Sequence, residues 1–234
     1  GYDYQYVVAL DKETGETVWK TDRDIEYGTD NGDLKKAYCT PIVINVDGRD
    51  QLISPAAKAT VAYDPQTGKE LWQFRYNEHS AAAKPLFGHD LIYISSGFSK
   101  SKFFAVKTGG SGDITDSHLA WSSPKSIPSK PTPLLIGDSI FMIHDQGVAS
   151  CVDAKTGELI WSERVRGNYS SSPLSADGRI YFFSHDGKSA VIEASREFKL
   201  LAENQLDGSF YASPAVYGSD LIIRTETHLY RIGK

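Results

Sequence analysis

The chain has only one methionine and two cysteines among 234 residues. It also lacks long apolar runs, clustered basic residues and helical periodicity. Each shortage excludes something. No hydrophobic stretch approaches the roughly 18–20 residues with which a helix crosses a bilayer. Cys39 and Cys151 lie far apart in sequence, so they form no local metal or redox pair. They read as two isolated, partly buried thiols, and a disulfide between them is the alternative that sequence leaves open. The 25 basic residues are scattered among 30 acidic ones, an arrangement that argues against nucleic acid or an anionic membrane as partner. No window repeats apolar residues every 3.6 positions over ten or more residues. HExxH, P-loop, GxSxG and GxGxxG motifs are all missing. The opening "GYDYQY" has neither Met nor an apolar signal segment, and reads as a processed or engineered start with Gly1 as a tag scar.

What is present is an ordinary globular composition, 40% hydrophobic and 12% aromatic, and a repeat. "ALDKETGETVWK" (9–20), "AYDPQTGKELWQ" (62–73) and "CVDAKTGELIWS" (151–162) share one spacing: Asp, two residues, Thr-Gly, three residues, Trp. The residues are Asp11, Thr14, Gly15 and Trp19; Asp64, Thr67, Gly68 and Trp72; Asp153, Thr156, Gly157 and Trp161. Asp is expected to cap the N–H groups of a tight turn, Thr to add a second side-chain bond, and Gly to supply a positive φ. The Trp is expected to wedge against a neighbouring sheet.

Each copy sits within a cycle of four short strands joined by turns. First strands open at Pro41, Pro85, Pro133, Pro173 and Pro214, and second strands read "QLIS", "LIYIS", "IFMIH", "IYFFS" and "LIIRT". Trp19, Trp72, Trp121 and Trp161 fall in fourth strands, with Leu201 assigned to the corresponding place in the fifth. A period of about 40–45 residues with four strands per period predicts an all-β fold, a β-propeller of four-stranded antiparallel blades. About five to six blades are present. The expected layout is a single domain over 1–234, with a partial blade at 1–20, blades at about 38–76, 82–123, 130–165 and 170–205, and a partial blade at 210–234. Two readings of the whole follow: part of a seven- or eight-bladed ring, which is favoured, or a five-bladed ring closed by strand exchange. An open arc would expose blade faces and invite self-association.

The Asp–Thr–Gly–Trp pattern resembles the tryptophan-docking repeat of the quinoprotein, or PQQ-like, propellers. Ala9, Ala62 and Ala105 match the small residue that opens that motif, and Cys151 replaces it in the third good copy. "KTGGSGDITDSHLAW" (107–121) carries a six-residue insertion, and "EASREFKLL" (193–201) has lost Thr, Gly and Trp. The resemblance covers the whole chain. It implies kinship both with quinone-dependent alcohol and glucose dehydrogenases and with non-enzymatic outer-membrane assembly lipoproteins. The enzymes imply PQQ over a calcium held by Glu, Asn and Asp, often with a disulfide between adjacent cysteines. This chain has no Cys-Cys pair and no such set maps onto it. The expectation is therefore a non-catalytic, exported (periplasmic or secreted) binding or scaffold module. A PQQ- and calcium-dependent dehydrogenase, or its remnant, is the alternative, and a sensor domain of a larger protein is another.

Loops sort by parity. Turns between first and second strands and between third and fourth are short and stereotyped, so that face reads as structural. The other face carries longer, varied connections and is the expected working face. Its candidates are Tyr38, Lys58, His79, Lys84, Lys130, Asn168, Tyr169 and Tyr211, with His144-Asp145 and His185-Asp186 read as recurring at one repeat position. Lys offers charge and Tyr a flat amphipathic surface, which suits a protein partner or a small polar or anionic ligand. The long, charged connection from 21 to 37 reads as a solvated loop, with a lid as the alternative. No metal site is expected: "DNGD" (30–33) and "SGDITDS" (111–117) lack the alternating acidic ligands of an EF-hand.

Overall fold

The computed structural model describes residues 4–98, 100–123 and 125–233, so Gly1 lies outside the described residues. The chain divides into two compact units, Gly1–Ser122 and Ser123–Lys234. Apart from a single 3-10 turn at Gly32–Lys35, the regular structure among the described residues is all strand.

In the first unit, β1 (Tyr6–Leu10) and β2 (Thr17–Asp22) form a two-stranded sheet. Next come β3 (Ile42–Val46), β4 (Arg49–Pro55), β5 (Ala59–Tyr63) and β6 (Glu70–Arg75), an antiparallel meander. A third sheet contains β7 (Leu86–Gly88), β8 (Leu91–Ser95) and β9 (Phe103–Lys107); a short β10 (Gly112–Asp113) intervenes before β11 (Leu119–Ser123) completes it. In the second unit, β12 (Leu134–Ile136), β13 (Ser139–Ile143), β14 (Val148–Asp153) and β15 (Leu159–Arg164) form one meander. Another is formed by β16 (Leu174–Ala176), β17 (Arg179–Phe183), β18 (Lys188–Glu193) and β19 (Leu200–Gln205). The last sheet has three strands: β20 (Ala215–Tyr217), β21 (Asp220–Arg224) and β22 (Leu229–Ile232).

The burial pattern explains why second and third strands are apolar without alternation. β5, β8 and β13 are buried at every residue, whereas β19 is exposed throughout. Inner strands are covered on both faces by neighbouring sheets, and outer strands are not. Each hydrophobic cluster accordingly spans two successive sheets. In the first unit, Ile53, Trp72 and Phe74 pack with Ile92, Phe104 and Val106. In the second, Phe141 and Cys151 pack with Ile180, Phe182 and Ile192.

The motif turns behave as their residue types dictate. Asp11 Oδ1 accepts from the N–H groups of Glu13 (3.0 Å) and Thr14 (2.8 Å), while Thr14 Oγ1 accepts from the N–H of Glu16 (3.2 Å). Asp64 and Asp153 accept from the equivalent N–H pairs at 2.9–3.1 Å. Gly15, Gly68 and Gly157 all adopt positive φ, 72–75°. The strand register steps by one residue at Ala9, Ala62 and Cys151, and these small residues lie directly opposite Trp19, Trp72 and Trp161. Val191 is matched in this way with Ala202, so the fifth blade's equivalent of the Trp is Ala202; Leu201 falls at the register step.

The indoles then join sheet to sheet. Trp19 Nε1 donates to the Pro65 carbonyl in the next motif turn (2.9 Å), and Thr21 Oγ1 donates to the Gly68 carbonyl (2.7 Å). A Cβ on Gly68 would come within 2.4 Å of the Trp19 ring, so glycine serves contact as well as φ. Trp161 repeats the arrangement with the Ser195 carbonyl (3.1 Å) and meets Phe198 edge-on at 5.2 Å. Trp72 departs from it. Its Nε1 donates to Gln51 Oε1 within its own sheet (2.9 Å), and the indole is completely buried. The cause is the insertion in the next turn. There β10 pairs in parallel with Trp72 and Gln73 of β6, Ile114 N–H donates to the Gln73 carbonyl (2.9 Å), and Ile114 closes over the cluster. The six-residue insertion in the 107–121 copy supplies a fifth strand to the neighbouring sheet.

Two outcomes follow. Burying a Trp removes roughly 150–250 Å² from water, and Trp72→Ala is expected to cost about 3–5 kcal/mol in urea denaturation; a loss below about 1 kcal/mol would contradict the packing. The Thr14 and Glu13 N–H groups hold Asp11 below its ordinary 3.8, and the Gln66 and Thr67 N–H groups do the same for Asp64. Burial opposes the shift at Asp153, but the Arg196 guanidinium and the turn N–H groups outweigh it. Such depressed carboxylates contribute stability that is fully present above their unfolded values and is lost as pH falls through the folded ones. Acid denaturation should therefore begin below about pH 4, and Asp64→Asn should flatten that limb of the curve.

Candidate functional site

In the second unit the long-loop face is built from the connections preceding β12, β16 and β20 and from the loops β13–β14, β17–β18 and β21–β22. Thr132, Ser172 and Ser213 each precede the proline that opens a first strand, where the backbone is held extended. Thr132 N–H donates to Ser172 Oγ (3.0 Å), and Ser172 N–H donates to Ser213 Oγ (2.9 Å). This hydroxyl ladder stitches three sheets together and fixes the positions two residues earlier, which are Lys130, Ser170 and Tyr211.

His185 is the meeting point of these positions. Its ring stacks on Tyr211 (centroids 4.3 Å, planes 26° apart), and its Nε2 shares a hydrogen bond with Ser170 Oγ (2.8 Å). Its main-chain N–H donates to the Asn168 carbonyl (2.8 Å). Burial and the Lys130 ammonium hold its pKa below the ordinary 6.5, against the opposing pull of Asp186 and Asp145. The imidazole is thus neutral at pH 7 and presents one donor and one acceptor. Lys130 pairs with Asp145 Oδ1 (3.5 Å), and Asp145 Oδ2 accepts from the Ser129 N–H (2.7 Å). Tyr211 is 61% exposed. Beside it, Ser209, Arg224 and Glu226 line a hollow of about 250 Å³. Asp186 accepts from the Ser184 hydroxyl and pairs with Lys188 (3.1 Å).

Three of the candidates stand apart from this group. Tyr169 is interior, with its ring edge-on to Phe182 and its hydroxyl donating to the Arg166 carbonyl (3.0 Å); burial pushes the phenol well above its ordinary pKa. Asn168 is exposed and enters the cluster only through its carbonyl. His144 turns inward on its own loop, its Nδ1 accepting from the Gln146 N–H (3.1 Å). The two His-Asp pairs are also offset by one residue. Gly147 N–H donates to the His144 carbonyl and Gly187 N–H to the Ser184 carbonyl, so His144 matches Ser184 and Asp145 matches His185.

In the first unit Tyr38 is 66% exposed, and its N–H donates to the Ala81 carbonyl (2.7 Å). His79 Nδ1 shares a hydrogen bond with Ser80 Oγ (2.9 Å), and Lys84 is exposed where the chain enters β7. Lys58 has φ +68° at the loop position where the second unit uses Gly147 and Gly187. A non-glycine residue there costs about 1–2 kcal/mol. A hollow of about 640 Å³ lies on the opposite face and is lined by Asn45, Arg49, Asp50, Gln51, Asp64 and Gln66. Sequence reading assigned that face only short structural turns. The hollow also takes in Gly110 and Ser111 of the insertion, whose docking against β6 no local pattern announces.

Residues 3–232 match the family described as outer membrane protein assembly factor BamB. The chain belongs to that family. An outer membrane protein assembly factor BamB from Marinobacter adhaerens is 29% identical over 91 residues, 39% of this chain and 23% of that protein. The crystal structure of BamB from Moraxella catarrhalis superposes with a TM-score of 0.66 at 16% identity, covering 95% of this chain and 65% of that one. Quinohemoprotein alcohol dehydrogenase from Comamonas testosteroni gives 0.62 at 13% identity, covering 86% of this chain and 40% of that one. The chain thus spans less than two thirds of each of these relatives. At such identities the structural likeness establishes the fold: a PQQ-like repeat propeller of four-stranded antiparallel blades.

The dehydrogenase likeness raises the question of PQQ and its calcium. Among the described residues, no three His, Cys, Asp or Glu side chains converge to hold a metal. Among the described residues no helix is long and apolar enough to cross a membrane.

NMR titration of the His185 ring should give a midpoint below 6.5. Lys130→Gln should raise that midpoint and Asp186→Asn should lower it further.

Proposed function

We propose that this chain is a non-catalytic binding module that engages a protein partner through the long-loop face, with the Lys130–His185–Tyr211 cluster as its anchor in the second unit. The observation that carries the reading is the exposed Tyr211 ring stacked on a neutral His185 that Ser170 holds in place. A pre-ordered aromatic surface beside a lysine already paired with Asp145 pays little ordering entropy on binding, and Tyr is enriched at interface hot spots. Tyr38, Lys58, His79 and Lys84 extend the same proposal to the first unit. The family description and the named relatives support a partner within outer membrane protein assembly, and with it a periplasmic or otherwise exported location. A small polar or anionic ligand in the hollow beside Tyr211 is the second occupant this chemistry admits.

A photo-reactive phenylalanine analogue at position 211, expressed in the source bacterium, should cross-link to a protein of the outer membrane assembly machinery. The same group at Val18, an exposed position on outer strand β2, should not. Tyr211→Ala should weaken binding of the captured protein by about tenfold or more. Equal cross-linking from both positions, or none from 211, would contradict the assignment.

A further inference from the structure

We infer that a second recognition site, for a carboxylate group, lies in the first unit between the long connection after β2 and the ends of β5 and β6. The starting point is Lys58. Gly147 and Gly187 occupy the same place in their sheets, since Tyr76, Val165 and Leu206 N–H groups donate to the carbonyls of Lys58, Gly147 and Gly187 respectively. A Cβ on Gly147 would lie 2.2 Å from the Val165 carbonyl, and one on Gly187 would lie 2.3 Å from the Leu206 carbonyl. The loop around Lys58 is rebuilt to admit a side chain. Its N–H donates to the Glu78 carbonyl (2.9 Å) and its Nζ to the Asn77 carbonyl (2.6 Å). A left-handed lysine in place of glycine is an outlier that points to what its ammonium reaches.

That ammonium lines a hollow of about 250 Å³ together with Glu26, Tyr27, Arg75 and Asn77. Arg75 has also changed its task. Its ladder equivalents, Arg164 and Gln205, donate back to carbonyls of their own loops, at Gln146 and Asp186. Arg75 instead pairs through Nε with Asp113 (3.1 Å), beside the hollow. The Tyr27 hydroxyl is enclosed and has no hydrogen-bond partner, while the Lys35 ammonium lies 5.8 Å from its ring centre. Lys58 keeps two further N–H donors beyond its bond to Asn77. Two cationic side chains around a hollow of this size suit one carboxylate, such as an Asp or Glu side chain of a polypeptide. Glu26 on the rim disfavours a more highly charged anion. The site is separate from the His185–Tyr211 cluster and stands whether or not that cluster binds a partner.

The test uses N-acetyl-aspartate α-N-methylamide, which carries one side-chain carboxylate, uncharged N-acetyl-asparagine α-N-methylamide and inorganic phosphate as probes in calorimetric titrations of the whole chain. Saturable binding of the aspartate amide alone is expected. Lys58→Gly should weaken it by about tenfold while the melting temperature stays level or rises, because glycine takes the left-handed conformation freely. Arg75→Gln, which removes the second cation lining the hollow, should weaken it several-fold. Should the glycine variant not fold, Lys58→Gln reads the same loss of charge on the native backbone. No saturable binding of the aspartate amide, equal affinity in the Lys58 variants, or tighter binding of phosphate would overturn the assignment.

Discussion

The contact on which the other features depend is an indole of one sheet seated on the turn of the next. Trp19 shows it most completely: the ring lies against Gly68, the Nε1–H meets the Pro65 carbonyl, and Thr21 adds a second bond to the same turn. The geometry is possible only because Asp64 and Thr67 have already satisfied the turn's N–H groups, leaving its carbonyls to face outward. Local turn chemistry and long-range adhesion are therefore one device. It explains why Asp, Thr, Gly and Trp travel together at fixed spacing, and why the side opposite the long loops is so uniform. Sheets held along one rim can vary the loops along the other.

Much of this was legible in the sequence, for a physical reason. Inner strands covered on both faces have to be apolar at every position, so "LIYIS", "IFMIH" and "IYFF" announce themselves, and turns requiring positive φ write Asp-Gly or Thr-Gly. What was not legible depends on register and on enclosure. The two His-Asp pairs look equivalent by eye, yet Gly147 and Gly187 set the loop frame and displace them by one residue. Tyr169 and Tyr211 occupy similar surroundings in sequence, but one is interior and the other is the most open aromatic of its cluster. Trp72 carries the full motif and still bonds within its own sheet, because a distant insertion occupies the outer edge it would otherwise reach past.

The candidate residues divide along the same lines. Those fixed by the hydroxyl ladder, Lys130 and Tyr211, were predictable in position because each lies three residues before a strand-opening proline; Ser170 holds the same place but was not among the candidates. Their chemistry was not, because it comes from His185, delivered by a different loop. The hydroxyl ladder through Ser172 and Ser213 left no signal beyond small residues before proline, although it sets the spacing of that rim. Lys58 was among the sequence candidates, but its positive φ was not legible and becomes unusual only when set beside the glycines of the other sheets.

The short strand β10 has a mechanical corollary. In a row of sheets that touch only their neighbours, each junction bears load independently. By crossing to the outer edge of β6, with Ile114 N–H bonded to the Gln73 carbonyl, Arg75 N–H to Thr115 Oγ1 and the Arg75–Asp113 ion pair, residues 112–115 rivet the second and third sheets into one block. Tension drawn along this part of the chain would peel away the two-stranded sheet of β1 and β2 before that block yields.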